Sequence, residues 1–155
     1  MTMTHEQIKQ WNDYACVARC LLKLSDTNGN PVTRDEFCFR FEQLFPNPTT
    51  RYGQLDAPSF FAVLKSLSLP IHVTESDDYS VVESEFNGNK RGVLLISHID
   101  LNPGHTNVIN HCSVLTKIDA ATFSIWTPCQ TGADAPMNLT KADWTAKQCS
   151  GLILS

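Results

Sequence analysis

The feature that most constrains this chain is a change of hydrophobic period at Pro70. Before it, apolar residues recur at helical spacing; after it, they gather in short β-branched runs. The first periodic segment spans Tyr14 to Leu24, where Ala15, Val17, Ala18, Leu21 and Leu22 form a broad apolar face that Asn12 or Asp13 can cap. Turn formers from Ser25 to Pro31 predict its end. A second helix is predicted from the capping box Thr33 and Glu36, with Phe37, Phe41, Leu44 and Phe45 on one side and a stop at Pro46-Asn47-Pro48. Asp56-Ala57-Pro58 opens a third, in which Phe60, Phe61, Leu64 and Leu67 recur until Pro70.

Strands are predicted at Ile71 to Thr74, Gly92 to Ile99, His111 to Ile118 and Thr122 to Thr127, the last two joined by a tight Asp119-Ala120-Ala121 link. A late helix from Thr140 to Lys147 begins with Thr-x-x-Asp, and Gly151 to Leu154 makes a closing strand. Helices first and an antiparallel sheet second give an α+β class with two layers around one core. With no internal repeat and no convincing linker, residues 1–155 read as a single domain.

A chain of 155 residues buries enough surface to fold without covalent help. Cys16, Cys20, Cys38, Cys112, Cys129 and Cys149 are therefore expected mainly as buried thiols, with three disulfides the less favoured reading. A zinc site from Cys16, Cys20, His111 and Cys112 is disfavoured, because adjacent His111 and Cys112 point to opposite faces of a strand. No metal and no cofactor is expected. Twelve Lys and Arg against sixteen Asp and Glu leave a net charge of −4, which argues against a nucleic-acid partner. Apolar stretches as short as Val93 to Ile96 and the polar Met1 to Gln10 predict neither a membrane span nor a signal peptide.

Chemistry concentrates on Cys16. The helical pattern puts it in a first turn, where unpaired N–H groups and the helix dipole favour thiolate. A neighbouring imidazolium completes its activation as a nucleophile. His111 is the expected base, opening a strand directly after the loop Asn102 to Asn110. Gln10, six residues before Cys16, can join the Cys16 backbone N–H in holding an oxyanion. His98 and His105 are competing bases, while His5 and His72 read as surface or sheet residues. Asp119 is excluded as an orienting acid, since an intact strand sets it roughly 20 Å from His111; Asp100 stays a candidate. Trp11, Trp126 and Trp144 either shape a groove or, the better reading for each, pack in the core.

Gln-Trp-Asn-Asp-Tyr-Ala-Cys-Val-Ala-Arg-Cys-Leu-Leu from Gln10 resembles the oxyanion-glutamine and nucleophile helix of papain-like cysteine peptidases. Gly92 to Pro128 is similar to the sheet of their bacteriocin-leader branch, which cleaves after a double glycine and carries an Asp-Pro with the Asp sixteen residues after the catalytic His. Here that position is Thr127, followed by Pro128. Thr140 to Leu154 resembles the terminal helix and strand of that branch. The chain departs from the family pattern at Val17, where Gly is usual, and at Thr127, whose hydroxyl can accept from the His111 ring but cannot stabilise an imidazolium as a carboxylate would.

The resemblance implies a papain-like fold and a cysteine peptidase with Cys16 as nucleophile, His111 as base, Gln10 at the oxyanion and Thr127 in the orienting position. It implies a protein substrate cut at small residues, Gly-Gly among them. It also implies a bacterial toxin or effector role with a cognate inhibitor or immunity protein as partner. The expected location is the producer cytoplasm, or a target cell reached through a dedicated secretion system. Two other classes stay open: deamidation or acyl transfer through the same thioester, and a degenerate papain-like binding module.

Overall fold

A computed structural model describes residues 4, 16–44, 57–89, 92–128 and 135–155. They form an α+β structure of helices and a six-stranded antiparallel sheet, grouped in two compact units that divide after Ile71. Gln10, Trp11, His5 and Cys129 lie outside the described residues. So do the proposed caps Asn12 and Asp13, as well as Phe45 and Asp56. Among the described residues no helix is long and apolar enough to cross a membrane.

The first unit holds α1 (Cys16–Thr27), α2 (Arg34–Leu44) and α3 (Ala57–Ser66). Helix α1 buries Ala18 and Leu21 of the expected face together with Cys20, Leu24 and Ser25; Val17 and Leu22 of that face are only half-buried, and Ala15 lies outside the described residues. The helix runs to Thr27, beyond the expected end at Leu24, because the polar residues there cap rather than break it. Asn30 N–H donates to the Ser25 carbonyl and Gly29 N–H to that of Asp26, with Gly29 at φ 81°. This is a Schellman ending, which needs a left-handed residue that glycine adopts without strain. Helix α2 begins as expected, Glu36 N–H donating to Thr33 Oγ1 at 3.2 Å, and buries Phe37, Cys38 and Phe41. Leu44 does not join that face; it is 42% exposed. Helix α3 stops at Ser66, before Pro70 acts: Ser68 turns left-handed at φ 56°, and its N–H and that of Leu69 return to the carbonyls of Lys65 and Leu64. Leu64 and Leu67 are buried as expected, but Phe61 is 41% exposed.

The second unit holds β1 (Val73–Ser76), α4 (Tyr79–Asn89), β2 (Val93–Ile99), β3 (Val108–Ile118), β4 (Thr122–Thr127), β5 (Ala135–Thr140), α5 (Lys141–Ala146) and β6 (Cys149–Leu154). The strand order is β1-β6-β2-β3-β4-β5. One face, carrying Val93, Leu95, Leu115, Phe123, Ile125 and Ile153, packs with Tyr79 and Val82 of α4 and Trp144 of α5. A register shift between Leu115 and Lys117 lets both Leu115 and Ile118 reach this core. Tyr79, Phe123 and Trp144 meet edge to face with centroids 5.4 to 6.1 Å apart. The polar tips of two of them are satisfied by backbone, Trp144 Nε1 donating to the Asp77 carbonyl and the Tyr79 hydroxyl to that of Asp119, each at 2.8 Å. Helix α4 sits close enough to β6 that a Cβ on Gly151 would lie 2.9 Å from a Val82 methyl. Helix α5 carries the expected capping box, Thr140 and Asp143 exchanging side-chain to backbone bonds.

Candidate active site

The sheet places His111 by pairing it on one side. It is the fourth residue of β3, directly across from Ser97 of β2. This corrects the expectation that His111 opens the strand after a loop ending at Asn110: the ladder continues to Val108, which pairs with Ile99. The connecting loop is accordingly shorter, closed by Asp100 N–H donating to the Asn107 carbonyl at 2.9 Å. At its tip Asn102-Pro103-Gly104-His105 forms a turn with Gly104 at φ 77° and His105 N–H returning to the Asn102 carbonyl. The buried Lys147 holds it from below, its ammonium donating to the carbonyls of Asn102 and His105 at 3.2 and 2.7 Å. A ring carried by paired backbone between such supports has little freedom to drift.

His111 and Thr127 come together. The pair Val114↔Trp126 sets the β3–β4 register so that Thr127 stands beside Ser113 and reaches diagonally to His111. His111 Nε2 and Thr127 Oγ1 are 2.7 Å apart, and both residues are half-buried. Ser113 Oγ, fully buried, donates to the same Thr127 Oγ1 at 3.2 Å. In the neutral tautomer that carries its proton on Nε2, Thr127 Oγ1 accepts that proton's hydrogen bond and the basic lone pair lies on Nδ1. Ser97, also fully buried, has an Oγ that finds no hydrogen-bond partner among the described residues. One hydroxyl, on Thr127, thus contacts the imidazole, and two buried ones, on Ser113 beside Thr127 and on Ser97 across the β2–β3 pair, were not foreseen. Strand alternation was the usable signal: Ser113 follows His111 by two and must share its face.

The competing bases are held elsewhere. The exposed His98 shares a 2.7 Å contact between Nδ1 and Asn110 Oδ1, and His105 Nδ1 lies 2.9 Å from Asp100 Oδ2. Asp100 is thereby committed to His105 and to the N–H of Asn102, which with its partners keep its carboxyl below the usual range. Asp119 caps its turn by accepting from Ala121 and Thr122, and the intact β3 separates it from His111, as expected. His72 is exposed, with its backbone paired to Ser155.

Cys16 is the first described residue of α1 and is half-buried, in the first unit. Cys20, Cys38, Cys112 and Cys149 are buried, and all five are thiols outside any disulfide. Burial, with the Asp143 carboxylate nearby, pushes the Cys149 thiol up to about 12 from 9.0, so it stays protonated and unreactive at neutral pH. Cys112 pairs with Ile96 and faces away from His111. Trp144 belongs to the core, as expected, and Trp126 is half-buried on β4.

No family model, curated protein or solved structure matches this chain.

Proposed function

We propose that this chain is a papain-like cysteine peptidase, a single domain over residues 1–155, with Cys16 as nucleophile and His111 as base. The observation that carries the reading is the 2.7 Å contact between His111 Nε2 and Thr127 Oγ1, which joins residues sixteen apart in the register the sequence singled out. The exposure of Cys16, greater than that of the four buried thiols, supports it. In this mechanism His111 Nδ1 takes the Cys16 proton and the thiolate attacks the scissile carbonyl. Gln10 and the Cys16 N–H then stabilise the oxyanion. Collapse to the thioester expels the amine, which leaves with the proton from His111. Water, deprotonated by the same ring, releases the acid and restores the thiol.

The proposed substrate is a protein cut beside small residues, Gly-Gly among them. The proposed setting is a bacterial toxin or effector, made in the cytoplasm or delivered to a target cell and restrained by a cognate inhibitor protein. The test is alkylation by iodoacetamide at pH 7.5. Cys16 reacts first among the five described thiols, and His111→Ala slows it by at least about tenfold. A Cys16 rate indifferent to His111 sinks the reading. Capture of a target with Cys16→Ala, followed by mass spectrometry after wild-type treatment, then separates cleavage into two fragments from deamidation, which adds about one mass unit.

A further inference from the structure

We propose that the second unit carries a binding pocket for an alkyl guanidinium or ammonium group, separate from the His111-Thr127 pair and independent of the peptidase reading. A cavity of about 410 Å³ opens where the start of β6 runs between the end of β1 and the end of β2. Its size falls within the roughly 300–1,000 Å³ that small ligands occupy. The register of three strands builds it. Ser76 pairs with Gly151 and Ser97 with Cys149, so Asp77 comes beside Ser150 while His98 borders the opposite side of β6. Alternation places Glu75 on the same face of the chain as Asp77.

Floor and rim differ in character. Trp144, Cys149 and Ser150 form a buried floor without charge, the Cys149 thiol being protonated at neutral pH. Glu75 and Asp77 stand exposed at the rim, and neither has an ion pair among the described residues. The neighbouring charges are committed elsewhere: Lys147 donates to the carbonyls of Asn102 and His105, Asp143 serves the cap at Thr140, and the His98 ring is held at Asn110. Two hydrogen bonds tie the rim to the floor, from Ser150 Oγ to Glu75 Oε1 at 3.2 Å and from Trp144 Nε1 to the Asp77 carbonyl at 2.8 Å. The pocket is therefore organised before any ligand arrives.

This lining selects by charge. Carboxylates only accept hydrogen bonds, so the ligand must bring donors and a positive charge; an anion would meet repulsion from both acids. Residues two apart on a strand lie roughly 6–7 Å from one another, a span that a planar guanidinium with its five N–H groups can bridge in part and an ammonium can meet at one end. The indole and thiol below suit a methylene stem.

The test titrates the full-length protein at pH 7 and low salt with butylguanidinium and with butylurea, its uncharged isostere, reading the ¹H–¹⁵N signals of the Trp144 indole and of the Cys149 and Ser150 amides. Butylguanidinium is expected to shift them saturably, and butylurea to bind at least about tenfold more weakly. Glu75→Gln and Asp77→Asn, which keep side-chain size at exposed positions, each weaken butylguanidinium about fivefold, as suits ion pairs at a solvated rim. The indole signal of each ligand-free variant reports that Trp144 remains packed. An acetylated Gly-Arg-Gly amide identifies the source of the group: affinity equal to that of butylguanidinium supports a basic side chain of a protein, and much weaker binding supports a free guanidino or amino compound. Equal affinity for butylguanidinium and butylurea overturns the proposal, as does the lack of a saturable shift or an affinity that both substitutions leave unchanged.

Discussion

Two ends of the same sheet face differ in what they ask of their side chains. At one, Phe123 and Ile125 of β4 meet Tyr79 and Trp144 in a dry cluster whose polar tips are satisfied by backbone. At the other, two residues further along β4, Thr127 meets His111 and Ser113, with Ser97 across β3. The first end tolerates no water and fixes the packing of α4 and α5. The second places four polar side chains on one sheet face and leaves one hydroxyl without a partner among the described residues, at a cost of about 1–3 kcal/mol. A continuous ladder thus carries a core and a site, and the rigidity of one is delivered to the other through the backbone.

The contrast breaks most severely at Trp144. Trp144→Ala removes its edge-to-face partners and is expected to cost about 3–5 kcal/mol in urea unfolding, far more than any hydroxyl deletion at the His111 end. A loss below about 1 kcal/mol would deny that the aromatic end holds the unit together. Next comes Cys149, which belongs to the core cluster yet pairs with Ser97. Its thiol is protonated in the fold up to about 12 and ionises from 9.0 when unfolded, so the unfolded state binds fewer protons between those values. Stability is therefore full below pH 9 and falls as pH rises toward 12, by roughly 3–4 kcal/mol, and Cys149→Ala removes that part of the slope.

At the polar end, Thr127→Asp sharpens the comparison by restoring charge. A carboxylate that accepts from both Ser113 and His111 favours the imidazolium, so His111 holds its second proton to a pH about one unit higher in an NMR titration. Thr127→Ala moves it little, and an equal response to both changes would mean that charge is irrelevant there. The smallest expected effect is Thr140→Ala, which removes the capping box of α5 for about 1 kcal/mol in thermal or urea unfolding and leaves Cys16 alkylation unchanged.

What was legible in the sequence was whatever followed a period or a cap. The stripe of α1, the Thr33 and Thr140 caps, the β3–β4 hairpin and the spacing from His111 to Thr127 all obey local rules. Helix α4 was missed because Val81, Val82, Ser84 and Gly88 are poor helix formers. Its signal was present in Asp78, whose carboxylate accepts from the N–H groups of Ser80 and Val81, and in the buried Tyr79 and Val82. Strand β5 was missed because Pro136 and Asn138 argue against a strand; β5 lies at the sheet edge, where proline is tolerated. The exposure of Leu44 and Phe61 could not be read, since helical spacing names a face but not how much of it is covered. Ser97 and Ser113 escaped because alternation names the face a serine shares but not whether tertiary structure buries it there.

The position of β6 has a consequence for how the unit is made. It follows every other strand in sequence but lies between β1 and β2. As the chain emerges during synthesis, β2 to β5 can zip as a meander, whereas β1 must wait for β6 before it has a neighbour. Until then the side of β2 with Val93, Leu94 and Leu95 is an unpaired apolar edge, a template for pairing with another nascent copy. The ladder that holds His111 is thus assembled early, and its protection from aggregation comes last.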